Sequence, residues 1–206
     1  MFSINTAEIR WFLPGSMPGN LVDWLQQQNG VYDDQPPRTD VYMVLPQQDM
    51  LGIKLREGRL ELKKRIIQHE AYNAEGIGGK IESWKKWSIM AADGVSPGTM
   101  YFQDAAHWIS IQKNRFLQKY EVSETGGLMP HPQTGYPASG IAVELSELTL
   151  MENTWWTFGL ECFGNTGNNH KVLIHSIPSL ISGFPASGLT RASSAGYPEW
   201  INQQLQ

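Results

Sequence analysis

Residues 51–66, LGIKLREGRLELKKRI, constrain this chain more than any other stretch. Leu51, Ile53 and Leu55 alternate with Gly52, Lys54 and Arg56, which is the period of a half-buried strand. Glu57-Gly58 falls where a two-residue turn belongs, and glycine supplies the positive φ that such turns need. Leu60, Leu62 and Lys64 then alternate with Glu61, Lys63 and Arg65. A tight turn sets Arg56 opposite Arg59, Lys54 opposite Glu61 and Ile53 opposite Leu62, and opposite residues share a face. One face therefore carries Lys54, Arg56, Arg59, Glu61, Lys63 and Arg65. The other carries Leu51, Ile53, Leu55, Leu60 and Leu62, with Lys64 at its end. So many cations on one face repel one another unless water or an anion separates them. The face is either a solvated outer surface or the lining of a site for a polyanion.

The rest of the chain narrows the choice. Its 206 residues suit one large β domain or, less easily, two small ones, 41% hydrophobic residues supply a core, and a 17% charged fraction speaks against disorder. The formal net charge of −4 and a pI of about 5.7 argue against general nucleic-acid binding. They also make the cluster at 54–65 a local basic patch in an acidic protein. The lone cysteine, Cys162, cannot close an intrachain disulfide. The opening MFSINTAEIRWF lacks the basic-then-apolar order of a signal peptide, and no apolar run reaches membrane-spanning length. The expectation is a soluble cytoplasmic protein.

Strands are expected at about 7–13 and 39–46, in the two arms of the hairpin with the second running to about 68, and at about 80–89, 107–121, 140–150 and 154–163. Helices are expected at 20–28 with Asn20 as N-cap, at 171–182 with a kink at Pro178, and at 197–205 with Pro198 near the first turn. Four stretches read as loops: 31–38 with Pro36 and Pro37; 72–79, where GIGGK at 76–80 reads as a turn; 91–106 with a helical turn near Gln103; and 122–139. Glu8, Arg10 and Phe12 share a face of the first strand, and Ile109, Ile111, Lys113, Arg115 and Leu117 share a face of the strand at 107–121. Eight strands with connections mostly too short for parallel crossovers predict a mainly β (α+β) fold. Its expected form is an eight-stranded antiparallel barrel or tunnel with a few flanking helices.

The five histidines show no metal-ligand spacing, and no Ser/His/Asp or Cys/His arrangement is visible. Cys162 reads as a core residue. The tryptophans read as packing, with Trp155 and Trp156 on opposite faces. Lys85 could join either face of its strand.

Taken together, a strand with Glu8 near the N-terminus, the GIKLREGRLELKKR hairpin, the later IQKNRF, and the final VELS and LECF strands resemble the CYTH domain. That is the fold of the triphosphate tunnel metalloenzymes, which include thiamine triphosphatases, inorganic triphosphatases and class IV adenylate cyclases. The resemblance covers about 7–163 and implies one CYTH-like domain over 1–206, with a C-terminal helical segment at about 171–206. It implies a tunnel whose basic residues hold a triphosphate and whose acidic residues hold a divalent cation, Mg2+ or Mn2+. The implied anion ligands are Lys54, Arg56, Lys63, Arg65, Lys113, Arg115 and Arg10. Arg suits bidentate contact with phosphate oxygens, and Lys acts as a mobile point charge.

The acidic half departs from the family pattern. The ExExK signature appears as Glu8-Ile9-Arg10-Trp11-Phe12, the next acidic pair as Glu144 and Ser146, and the last as Glu161 and Phe163. Each strand keeps its first acid and loses the second. Glu8, Glu144 and Glu161 are the implied metal ligands, with phosphate oxygens and waters completing the shell. Their other reading is that they only balance the cations. Two-metal chemistry on a triphosphate is disfavoured.

The expected function is to bind a phosphorylated polyanion (a triphosphate, nucleotide or organic polyphosphate) in a basic β-tunnel. Metal-dependent phosphohydrolase activity is one form of it. The alternative is a catalytically inactive binding or protein-interaction module that has lost its metal site. Neither a nucleic acid nor a membrane is expected as partner. A lipocalin-like barrel, with an apolar cavity and the charged face outside, is a third reading. On the tunnel reading the six hairpin and 107–121 cations surround one anion-sized cavity, Glu61 pairs with Lys54, and the predicted helices cover the hairpin's apolar face.

Overall fold

The computed structural model describes residues 2–74, 76–90, 107–123, 126–131, 135–164 and 167–206. Its strands are β1 (Phe2–Pro14), β2 (Val31–Met43), β3 (Leu51–Arg56), β4 (Arg59–Ala74), β5 (Ile77–Met90), β6 (Trp108–Val122), β7 (Leu128–Pro130), β8 (Gly140–Leu150) and β9 (Asn153–Phe163). The described helices are α1 (Asn20–Gln27), α2 (Asn169–Leu180) and α3 (Tyr197–Gln204). None is long and apolar enough to cross a membrane.

Eight strands close on themselves in the order β2-β3-β4-β5-β1-β9-β8-β6, with β6 returning to β2 and β7 added to the end of β6. Every pairing is antiparallel. This is the expected barrel, and it fits the tunnel architecture that the CYTH resemblance implies. The hairpin register is also as expected: Arg56 faces Arg59, Lys54 faces Glu61 and Ile53 faces Leu62. Both turn residues, Glu57 at φ 48° and Gly58 at φ 75°, adopt the left-handed region, which suits the twist of the flanking strands.

The apolar core lies outside the barrel wall. Ile9 and Trp11 of β1, Phe158 and Leu160 of β9, and Val143 and Leu145 of β8 point away from the axis and are sealed by Leu21, Trp24 and Leu25 of α1 and Leu173 and Ile177 of α2. Trp24 meets Phe158 edge to face at 5.8 Å between ring centroids. Cys162 is buried in this layer, where burial pushes its thiol up to about 12. Trp156 belongs to the same layer, whereas Trp155 faces Trp200, so both serve packing.

Several local expectations are corrected. Residues 31–38 are strand, not loop. The register against β6 shifts between Gln35 and Arg38, so Pro36 and Pro37 sit in a bulge where a missing N–H costs no ladder bond. The GIGGK stretch is mostly strand, because β5 starts at Ile77. Gly79 is needed for proximity rather than for turning: a Cβ there would lie 2.7 Å from Ile9 Cδ1. β4 runs on to Ala74, and the stretch 122–139 contains β7. Gly19, rather than Asn20, precedes α1. α2 begins at Asn169 and carries Pro178 in its last turn without a break. The helical turn expected near Gln103 lies outside the described residues. The helices do not blanket the hairpin: α1 and α2 pack on the β1, β9 and β8 side, and Leu51, Ile53, Leu60 and Leu62 remain half-buried.

Between β1 and β5 the barrel wall has a seam. β1 and β5 pair from Phe2–Ser88 to Glu8–Glu82 and then part. Residues 189–195 fill the gap, with Gly78 N–H donating to the Leu189 carbonyl, Phe12 N–H to Ser193, and Ala195 N–H to Arg10. The chain then turns inward as α3. Trp200 stacks on the inward-facing Phe12 at 4.4 Å, and both join Tyr42, Ile111 and Leu148 in a second apolar cluster.

Candidate functional site

The charged face of the hairpin points into the barrel. In the wall, β4 and β9 are separated by β5 and β1, yet Lys63 of β4 donates to Glu161 of β9 at 3.2 Å. Such a contact is made only across the interior, so the lipocalin-like reading is set aside. Arg10, Lys54, Arg56, Lys63, Arg65, Lys113 and Arg115 all face inward, each held by a carboxylate. Acidic side chains lie between them, and Tyr197 of α3 reaches Lys113 and Arg10.

The interior ion pairs fall into three groups. In the first, Arg10 donates from Nε to Glu8 at 2.6 Å and from Nη1 to Glu144 at 2.8 Å. Arg115 also holds Glu144, and Lys63 bridges Glu8 and Glu161. Three cations thus meet three carboxylates. Gly159 of β9 makes room for this, because a Cβ there would lie 2.5 Å from the Arg10 guanidinium carbon. Burial opposes ionisation of Glu8, but Lys63 and Arg10 overcome it and hold its pKa at about 2. Burial likewise opposes ionisation of Glu144, and Arg115 and Arg10 hold it well below the usual carboxylate range.

The three glutamates converge, but on cations. Arg10 stands at the second acidic position of the ExExK pattern and lies between Glu8 and Glu144. Among the described residues no group of three or more His, Cys, Asp or Glu side chains is arranged to hold a metal ion. A hard cation gathers several oxygen ligands, and these carboxylates already carry Arg10, Arg115 and Lys63. As placed, Glu8, Glu144 and Glu161 do not fit a divalent ion.

The second group lies at the plugged end. Arg65 holds Glu82 and lies 3.8 Å from Glu199 of α3, and Lys80 donates to Glu199 at 2.5 Å. Two cations meet two carboxylates.

The third group differs. Asp40 is ion-paired with Arg38 at 3.1 Å, Lys54 at 3.3 Å and Lys113 at 3.0 Å. Glu61 accepts from Arg56 at 2.6 Å and is ion-paired with Lys54 at 3.2 Å and Lys86 at 3.6 Å. Five cations share two carboxylates, so the positive excess of the interior is concentrated here. Burial, then repulsion from Lys54, lowers the Lys86 pKa. Burial lowers that of Lys113 further, against the pull of Asp40. The Arg56 Nε has no hydrogen-bond partner. The side chains of Lys54, Arg56 and Lys86 remain 19–31% exposed, against 3% for Lys113, so this part of the group is reachable from solvent.

Sequence reasoning found the Lys54–Glu61 pair but missed Arg38, Asp40, Lys80, Glu82, Lys86 and Glu199. The adjacent Lys85 and Lys86 carry no parity signal of their own. The register places Lys86 inside, while Lys85 lies against the Trp87 ring at 5.5 Å. Asp40 lies next to the misread proline stretch, and Glu199 depends on where α3 goes.

No family model matches the chain, and no curated protein matches it. Among solved structures it is similar to the PH1819 protein of Pyrococcus horikoshii OT3, at 10% identity and a TM-score of 0.45, covering 96% of this chain and 99% of that one. It is also similar to a chain of the Schizosaccharomyces pombe Mediator head module, at 11% identity and a TM-score of 0.43, covering 87% of this chain and 96% of that one.

Proposed function

We propose that this chain is a CYTH-like binding module that takes a phosphorylated small anion at the hairpin end of its barrel and does not hydrolyse it. The observation that carries the reading is the charge imbalance at Asp40 and Glu61, where five cations share two carboxylates. Buried or half-buried cations in excess repel one another, and an anion that accepts from them removes that cost. Arg56 and the mobile ammonium groups of Lys54 and Lys86 are the ligands. The second half of the reading is supported by Arg10 and Lys63, which hold the carboxylates that a divalent ion would need. A cytoplasmic location agrees with the single, buried Cys162.

Calorimetric titration with orthophosphate and tripolyphosphate tests the proposal. The expected result is saturable binding that weakens about tenfold or more in Arg56→Ala, the scale of one hydrogen bond to a charged group. No phosphate should be released from tripolyphosphate with magnesium or manganese present. Equal binding by Arg56→Ala, or metal-dependent phosphate release, would overturn it.

A further inference from the structure

The last carboxylate of the plugged end is contributed by α3, not by the barrel wall. Tyr197 lies with its ring 3.8 Å from the Lys113 ammonium and 5.3 Å from the Arg10 guanidinium, so the helix reaches the central cations. Pro198 rests on the inward-facing Gly52, where a Cβ would come within 3.0 Å of its Cγ. Glu199 then meets Lys80 and Arg65. Without that carboxylate, Arg65 would keep Glu82 and Lys80 would lose the carboxylate that holds it. With it, the end is neutral.

We infer that Glu199 sets the length of the anion this barrel takes: by neutralising Arg65 and Lys80 it restricts recognition to a single phosphoryl group at Lys54, Arg56 and Lys86. This rests on the anion-binding reading above. Lys63 and Arg65 share a face of β4 with Glu61, about 7 and 13 Å further along the strand. An extended tripolyphosphate anchored by the cations around Glu61 therefore runs toward Lys63 and on to Arg65. It gains nothing there. Lys63 is held by Glu8 and Glu161, Arg65 by Glu82, and Lys80 by Glu199, so none of these cations has an uncompensated charge for the incoming phosphates. Burial raises the Glu82 pKa against the pull of Arg65, with smaller contributions from Glu8 and Glu199.

The test is calorimetric titration of the full chain with orthophosphate and with tripolyphosphate. The parent should bind the two within about threefold of each other. Glu199→Gln, which keeps the shape of the side chain, should bind tripolyphosphate about tenfold more tightly with orthophosphate unchanged, because Lys80 gains a free charge. The double variant Lys80→Gln/Glu199→Gln should lose that gain. A parent that prefers tripolyphosphate by more than about tenfold overturns the inference without any variant. So does a Glu199→Gln protein, folded by its thermal melt, in which neither affinity or both shift together. If neither anion binds parent or variant, the anion-binding reading itself fails and this inference falls with it.

Discussion

Arg10 joins two carboxylates from two strands: its Nε holds Glu8 of β1 at 2.6 Å and its Nη1 holds Glu144 of β8 at 2.8 Å. The guanidinium is almost fully enclosed, and without it Glu8 would keep Lys63 and Glu144 would keep Arg115. Arg10→Ala should cost about 3–5 kcal/mol, the scale for breaking a buried pair from one side. Urea unfolding measures this. Manganese, but not sodium, should restore part of the loss, since the freed carboxylates then resemble a cation site. A loss below about 1 kcal/mol would show that the pair is no stronger than an exposed one.

Acid should unfold the protein through its interior. Glu8 and Glu61 have pKa values lowered from 4.5 to about 2, against burial, by Lys63 and Arg10 in one case and by Lys54, Lys86 and Arg56 in the other. The unfolded chain therefore binds more protons below pH 4.5. Their contribution is complete above that pH and is lost as the pH falls toward about 2. Unfolding free energies measured at steps across this window should decline steadily. A flat profile down to pH 3 would contradict the ion-pair interior.

Sulfate binding should take up protons. Lys86 and Lys113 have lowered pKa values, from burial and from repulsion by Lys54, and an anion beside Lys86 relieves that repulsion and raises its pKa. Binding should therefore tighten as the pH falls below the ordinary lysine value. Sulfate does not titrate there, so titration heats in buffers of different ionisation enthalpy report protein protons alone. Identical heats in all buffers would speak against an anion at this group.

Trp200→Ala should be among the most damaging changes in the second apolar cluster. The indole stacks on Phe12 at 4.4 Å, meets Trp155 edge-on at 5.7 Å, and is 2% exposed. The expected loss is about 3–5 kcal/mol by urea unfolding. A change under about 1 kcal/mol would mean that α3 is seated by its backbone and charges instead.

The strands were legible where alternation was clean. The two-residue spacing of Lys54 with Arg56, Lys63 with Arg65 and Lys113 with Arg115 set their shared faces before any register was known. Where local signals competed with tertiary ones, the local reading lost. Pro36-Pro37 and Gly78-Gly79 look like loop formers, yet the prolines sit in a bulge and Gly79 leaves room for Ile9 and Trp11. The inward direction of the cations was inferred from the resemblance and is confirmed by bonds that cross the barrel. Their partners were harder to see. That Arg10 would sit among the three glutamates depends on how β1, β8 and β9 meet in space, and that Glu199 would complete the far end depends on the route of residues 189–196. Neither relation has a signature along the chain.

That route has a consequence for how the molecule comes to be made. β1 forms early in synthesis, but the wall around its second half is finished only by residues 189–195, and the barrel end is closed only by α3. A growing chain therefore carries a partly lined, highly charged β-sheet with an unpaired edge from Arg10 onward until nearly all of the described chain has emerged. Contacts this distant in sequence are slow to form, and unpaired edges are where wrong pairings start. Proteolysis or stalling that removes the last twenty or so residues should leave a species that chaperones bind and that aggregates, rather than a smaller stable domain.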